Sequence, residues 1–284
     1  MKKRYILAIV LSAMFLSFTV SCSKSEESTP TNPETPDNPI NHDDPFGVYN
    51  PGKKIRRVYY KSPYSDRKEL EQLWQWNGDL LESIKYYGYN ENLDYVEQFI
   101  YDGQRLSRIE YSDGDFRGYV EFRYENNELK SAECYGPYDY SELQCKIKFV
   151  YQEKKVSKIT YQSEFTDLSL QFTWNQDNVS MISITGNDEY NNAVELYYDQ
   201  NNNPYKGFIY YRMCLQYMFD DGWKFIKDRS SFSSNNVTQA VFSNPIRNEV
   251  YNFIYQYDED GFPTEQQYYN NHSEYGGTYY YEYE

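Results

Sequence analysis

Phe99-Ile100-Tyr101-Asp102-Gly103-Gln104-Arg105-Leu106-Ser107-Arg108-Ile109 carries the unit from which the chain is built. Side chains of an extended segment alternate between two faces, so Phe99 and Tyr101 put their rings on the same side. Asp102-Gly103 tolerates the positive φ of a tight hairpin turn. Counted from Tyr101, apolar residues return five and eight positions later, as Leu106 and Ile109. An odd distance between two buried stations implies a β-bulge or a change of face just past the turn.

The same register holds on both sides of this stretch. Trp74 and Trp76 lead to Leu81 and Ile84, and Phe122 and Tyr124 to Leu129 and Ala132. Phe149 and Tyr151 lead to Val156 and Ile159, and Phe172 and Trp174 to Val179 and Ile182. Weaker copies flank these five: Ile55 with Val58, Leu196 with Tyr198 before an Asn-Asn-Asn-Pro turn, and Tyr255 with Tyr257 before Phe262. Eight copies make sixteen strands, and a repeat of this period is one supersecondary unit. The turns Asn77-Gly78, Asn126-Asn127 and Asp260-Gly261 make successive strands antiparallel. The prediction is an all-β fold, a meander of tandem hairpins. The abundance of Tyr (35) and Phe (16) agrees, since aromatic residues favour strands.

Alternation of Cys145, Ile147, Phe149 and Tyr151 against Lys146 and Lys148 gives one dry and one wet face. A membrane barrel and a water-soluble one share that pattern. Short strands and the charged ending Tyr281-Glu282-Tyr283-Glu284 favour the soluble version. The register breaks over residues 206–248. Phe208, Tyr211, Leu215, Met218 and Phe219 there have helical spacing, so one short helical insertion is expected, plugging or capping an end of the sheet.

Ahead of the repeats, residues 1–21 start Lys2-Lys3-Arg4 and run on as an apolar stretch too short to span a bilayer, which reads as a secretory signal. Thr19-Val20-Ser21-Cys22 resembles the bacterial lipobox, with Thr19 in place of the usual aliphatic residue. That resemblance implies acylation of Cys22 and a membrane held through lipid chains. Residues 22–46 carry Pro30, Pro33, Pro36, Pro39 and Pro45 among polar residues, a spacer with no core to bury. Residues 47–284 then form a single repeat domain. The acidic Glu26-Glu27 close behind Cys22 resembles a surface-export signal of Bacteroidetes-type lipoproteins, which points to the outer membrane and its outer face.

Tyr101-Asp102-Gly103-Gln104-Arg105-Leu106 and Tyr257-Asp258-Glu259-Asp260-Gly261-Phe262 look like the tyrosine-aspartate repeats of bacterial surface proteins. Leader, tether, hairpins and the stretch Ser233-Ser234-Asn235-Asn236-Val237 together resemble a Bacteroidetes lipoprotein family with a porin-like fold. The resemblance covers residues 47–284. It implies a many-stranded antiparallel meander curling into a barrel and brings no catalytic residue with it.

The formal charge of −15 falls to −15 − 3 = −18 once Lys2, Lys3 and Arg4 leave with the signal, which argues against nucleic acid as a partner. His42 and His272 have no ligand-spaced companions, so no metal or cofactor is expected. Asp258, Asp260 and Asn270 admit calcium, although Asp-Glu-Asp-Gly reads more economically as a hairpin turn. No nucleophile elbow or phosphate loop occurs, and the 43 acidic residues single out no carboxylate pair for glycoside chemistry. Binding rather than catalysis is therefore expected.

Cys134 and Cys145 stand equally far from a turn at Asp139-Tyr140, so they are either a disulfide or two small buried residues. Cys214 has no evident partner and is expected to pack in the insertion. Tyr87, Tyr89, Tyr138, Tyr140 and Trp223 lie near expected loops, where a ring stacks on a sugar or anchors a protein; the plainer reading has them padding hairpin ends. Two functions remain open for what is expected to be a monomer. One is a displayed binding module for glycan or protein, and the other an accessory subunit of an outer-membrane complex.

Overall fold

The computed structural model describes residues 52–113, 116–126, 128–136, 142–164, 167–186, 192–208, 230–243, 248–269 and 274–284. The leader, Cys22, the tether, Cys214 and both histidines lie outside the described residues, as do Tyr138, Tyr140 and Trp223. Sixteen strands follow in chain order. The first eight are β1 (Ile55–Lys61), β2 (Glu69–Asn77), β3 (Leu80–Tyr87), β4 (Leu93–Asp102), β5 (Arg105–Asp113), β6 (Phe116–Glu125), β7 (Glu128–Tyr135) and β8 (Leu143–Gln152). The rest are β9 (Lys155–Ser163), β10 (Asp167–Asn175), β11 (Asn178–Thr185), β12 (Asn192–Asn202), β13 (Asn235–Ser243), β14 (Asn248–Tyr257), β15 (Pro263–Tyr269) and β16 (Tyr275–Tyr283). Each pairs with its chain neighbours, and β1 pairs antiparallel with β16, so the sheet is a closed barrel without edges.

The predicted bulge is present in all six hairpins that close a repeat unit with a short turn: β2–β3, β4–β5, β6–β7, β8–β9, β10–β11 and β14–β15. Ile100 faces Arg108 and Tyr101 faces Leu106, which leaves Ser107 unpaired. That extra residue restores the inward aim, so Leu106 and Ile109 are both buried despite their odd separation. Where the bulge residue carries a hydroxyl, it donates to the backbone opposite: Ser107 to Ile100 O at 3.0 Å, Ser157 to Val150 O at 3.1 Å, Ser180 to Thr173 O at 3.2 Å. Thr238 and Thr264 do the same to Tyr197 O and Gln256 O. The turns take the positive φ the sequence provides for. Gly103 sits at φ 63, whereas Glu153 and Lys154 adopt 52 and 65 in a turn of non-glycine residues.

One unit is divided between the two ends of the domain. Tyr283 pairs with Ile55 and Tyr281 with Val58, with the register shift after Ile55 that marks the bulge elsewhere. Ile55 and Val58 are thus the apolar half of a repeat whose aromatic half, Tyr281 and Tyr283, is the last strand. A belt of hydrogen bonds runs through all eight units. The second aromatic of one unit donates to the backbone of the preceding unit's first apolar station: Trp76 to Ile55 O at 2.8 Å, Tyr101 to Leu81 O at 3.0 Å, Tyr124 to Leu106 O at 2.9 Å, Tyr151 to Leu129 O at 2.9 Å. It continues through Trp174 to Val156 O at 2.8 Å, Tyr198 to Val179 O at 2.7 Å and Tyr283 to Pro263 O at 2.7 Å, Pro263 and not the expected Phe262 being the residue that faces Tyr257. In the seventh unit the donor is Tyr255, to Val237 O at 2.9 Å, because Tyr257 is drawn to Asp199 instead. Cations cover several of these rings, among them Arg105 over Tyr124 at 4.9 Å and Lys155 over Trp174 at 5.2 Å.

The expected insertion over 206–248 needs correction. Residues 235–243 are β13, where Val237 faces Tyr198, so Val237 and Ala240 are the two apolar stations of the unit that Leu196 and Tyr198 begin. The repeat does not stop there. Its turn is stretched, and the long excursion hid the pairing from a register counted along the chain. The stretched turn is knit at its base: Asp199 accepts from the Asn201 and Asn236 amides, and Asn203 Nδ2 donates to Ser233 O at 3.0 Å. Most of the helical spacing falls outside the described residues; Phe208 lies in a turn and Ser230–Phe232 is a single 3-10 turn.

From that base, aromatic residues reach into the barrel, as the plugging hypothesis requires. Phe208 touches Trp74 (5.2 Å between ring centroids) and Phe99 (6.0 Å), the latter on β4, opposite β12 in the ring of strands. Tyr205 meets Trp74 and Tyr281, and Phe232 meets Phe172. The core is therefore the lumen itself, filled by inward residues of every strand.

Candidate functional site

The inner surface divides in two. From β6 to β12 it is almost wholly apolar, with Val120, Ile147, Ile159, Leu170 and Ile182 buried beside the rings of Phe122, Phe149, Tyr161 and Phe172. From β14 round to β4 it mixes rings with polar groups: the Tyr86 hydroxyl donates to Glu97 at 2.7 Å, and Tyr281 reaches Gln266 at 2.7 Å, which in turn donates to Tyr255 at 2.8 Å. Burial pushes the hydroxyls of Tyr255 and Tyr281 well above the ordinary phenol range. These groups hydrogen-bond to one another inside a packed interior.

The outer surface also has two sides. Across β5 to β8 it is a charge ladder. Arg108 pairs with Glu121 and, at 3.4 Å, with Glu110; Arg123 meets Glu121 at 2.6 Å, and Lys146 meets Glu133 at 3.4 Å. The Arg108 guanidinium lies 4.4 Å from the Tyr119 ring, which stacks on Tyr135 at 4.7 Å.

Across β12 to β16 one outer row carries no charge of its own, flanked by Glu195 on β12 and Glu265 on β15. Tyr197 faces Gln239, Gln239 faces Asn252, Asn252 faces Tyr269, and Tyr269 faces Tyr275. Five adjacent strands thus present Tyr, Gln, Asn, Tyr and Tyr side by side, a span of about 19 Å at the usual strand spacing. Gln239 donates to Asn252 at 2.8 Å, the Tyr269 hydroxyl to Gln267 at 3.2 Å, and the Tyr269 and Tyr275 rings lie 5.8 Å apart. The face continues onto β1, where Tyr59 opposes Tyr280 and the Lys68 ammonium sits 4.3 and 4.5 Å from the two rings. Tyr280 has its hydroxyl pushed up by burial and by the Glu265 carboxylate. Tyr197 is 48% exposed and neighbouring Ile254 is 56% exposed, so the row is open to a ligand. Rings offer flat apolar faces and amides offer both donors and acceptors, the chemistry that receives uncharged, hydroxyl-rich molecules.

The loop aromatics expected from the sequence fare differently. Tyr87 is half-buried at the end of β3, and Tyr89 opens the 3-10 turn Tyr89–Glu91, in which Asn90 and Glu91 both take positive φ; the side chain of Tyr89 lies outside the described residues. Neither belongs to the tyrosine–amide row. That row escaped sequence reading because its members sit within strands, at the wet positions between the repeat stations. The signal was there in the replacement of Lys, Arg and Glu by Tyr, Asn and Gln at those positions late in the chain. Of the residues of the calcium alternative, Asn270 lies outside the described residues, and Lys53 Nζ meets Asp258 (2.7 Å) and Asp260 (2.8 Å), hydrogen bonds that push its pKa up to about 12. No cluster able to hold a metal occurs among the described residues. Cys134 and Cys145 are directly opposed on β7 and β8 as thiols.

No protein-family model matches the chain, and no curated protein does. Solved structures do. A crystal structure of a porin-like protein from Bacteroides uniformis is similar over 84% of this chain and 100% of its own, at 9% identity and a TM-score of 0.57. A porin-like protein from Bacteroides vulgatus is similar over 82% and 99% respectively, at 11% identity and a TM-score of 0.49. The likeness to the first is one of fold, a porin-like β-barrel.

Proposed function

We propose that the chain is a lipid-tethered barrel that stands in water at the outer membrane and binds an extended, uncharged glycan along its tyrosine–amide row. The observation that carries the reading is the uncharged row on β12 to β16, set against the charge ladder on β5 to β8. The ladder also bears on how the barrel is held. Arg or Lys facing lipid at the bilayer midplane costs about 2–4 kcal/mol each, and outward Arg108, Arg123, Lys146 and Lys148 lie within strands. A porin-like fold with its apolar face turned inward is suited to water, and the lipobox-like Cys22 supplies the attachment.

A glycan array probed with the full chain in detergent micelles tests the ligand. Neutral oligosaccharides are expected to bind, with Tyr269→Ala and Gln239→Ala each weakening binding about tenfold, the effect of losing roughly 1.4 kcal/mol. Tyr119→Ala, on the charged side, is expected to leave it unchanged. Binding that survives Tyr269→Ala and fails with Tyr119→Ala would refute the assignment. Retention of the chain in a membrane-protein complex without glycan binding would favour the accessory role.

A further inference from the structure

We propose that Cys134 and Cys145 form a cross-strand disulfide inside the wall of the barrel. The two are register partners on β7 and β8, and both lie on the inner face, Cys134 in line with buried Ala132 and Cys145 in line with buried Ile147 and Phe149. Directly opposed residues of antiparallel strands have Cα atoms about 4.5 or 5.5 Å apart, according to the type of pair. Both values fall inside the roughly 4.4–6.8 Å that a disulfide spans. The Cys145 thiol feels Cys134 directly, and its Sγ also donates to Lys146 O at 3.8 Å. The neighbouring Cys134 and burial push the Cys145 thiol up, so only a small thiolate fraction is available and oxidation of the folded chain is slow, faster during refolding.

Cys145 is the more open of the two, half-buried where Cys134 is 5% exposed, and is the first to be reached. With a disulfide oxidant such as oxidised glutathione, the Cys145 thiolate attacks one glutathione sulfur, the glutathione S–S bond breaks, and one glutathione thiolate leaves. The Cys134 thiolate then attacks Cys145 Sγ, forming the protein S–S bond and expelling the second glutathione thiolate. The two protons of the cysteine thiols end on the two released glutathiones, and the electron pair of the new bond is balanced by reduction of the oxidant. The chemistry requires neither the export nor the binding reading.

The test exploits a convenient cleavage pattern, since Ser131–Lys146 is one tryptic peptide containing both residues. The full chain is equilibrated with oxidised glutathione, either folded or during refolding from denaturant, then acid-quenched, denatured, alkylated and digested. The expected result in at least one arm is a Ser131–Lys146 peptide two hydrogens lighter than the reduced form and free of alkyl groups, with the midpoint of thermal unfolding shifted upward. The Cys134→Ala variant is expected to lose that shift. A doubly alkylated peptide in both arms overturns the proposal, as does a lasting glutathione adduct on Cys145 or a cross-link from either residue to Cys22 or Cys214.

Discussion

Tyr101→Phe removes one atom from the belt of hydrogen bonds, and its cost can be worked out from the surroundings. The hydroxyl donates to Leu81 O at 3.0 Å, and the Leu81 side chain is 1% exposed, so water does not readily replace the donor. Burial also holds the Tyr101 phenol above its ordinary range. A neutral hydrogen bond contributes about 1 kcal/mol net, and an acceptor left without its donor adds to that, which gives about 1.5 kcal/mol for the variant. In a domain of this size that lowers Tm by about 4 °C. Urea titration followed by far-UV circular dichroism should show the midpoint fall with an unchanged slope, because the surface exposed on unfolding is the same. Tyr151→Phe should cost the same, and the double variant should be additive, since the two bonds share no partner. The comparison is Tyr197→Phe on the outer wall, whose hydroxyl meets Glu195 at 3.0 Å in solvent and whose loss should cost less than about 0.5 kcal/mol. If Tyr101→Phe and Tyr197→Phe melt together, the belt does not stabilise the barrel.

Three further outcomes are expected. Tyr101, Tyr198, Tyr255, Tyr257, Tyr281 and Tyr283 all have folded pKa values raised above 10, by burial in each case as the first cause, so the stability they contribute is complete below pH 10 and is lost as pH rises beyond it. Each one ionising only after unfolding steepens the loss by about 1.4 kcal/mol per pH unit, and tyrosinate absorbance should rise together with loss of strand signal, not before it. Gly136→Ala should destabilise by about 2 kcal/mol or more in thermal melts, because Gly136 has φ +87 and a Cβ there would lie 2.4 Å from Arg117 O and 2.8 Å from Gly118 Cα. Phe208→Ala should cost about 3 kcal/mol in urea titration through loss of its contacts with Trp74 and Phe99, whereas a merely decorative excursion would leave the midpoint in place.

What the sequence disclosed and what it withheld follow from how far apart the interacting residues lie. Hairpins such as Phe99 to Ile109 are local, so ring, turn, bulge and apolar stations all leave their mark within a dozen positions, and strand number came out of counting them. Two pairings were opaque because they are distant. Tyr283 meets Ile55 across the whole domain, and Tyr198 meets Val237 across an excursion whose apolar spacing imitated a helix. Ile55 and Val58 looked like a weak copy for want of aromatic residues that are present, only elsewhere. The tyrosine–amide row was hidden differently: Tyr197, Gln239, Asn252 and Tyr269 are ordinary wet positions singly and become a surface only when five strands lie side by side.

The divided unit has a bearing on biosynthesis. Until β16 is made, every preceding hairpin can fold on its neighbour, yet the growing sheet keeps two open flanks, one on β1 and one on the latest strand. Such flanks recruit other chains, so a stalled or clipped product is a seed for aggregation, whereas the finished one has nothing to offer. The clasp is also a poor place for a label: Glu284 N donates to Lys54 O at 2.9 Å, which sets the close of the last strand against the start of the first. A bulky fusion appended there would crowd the start of β1, and reporters belong instead on the opposite rim.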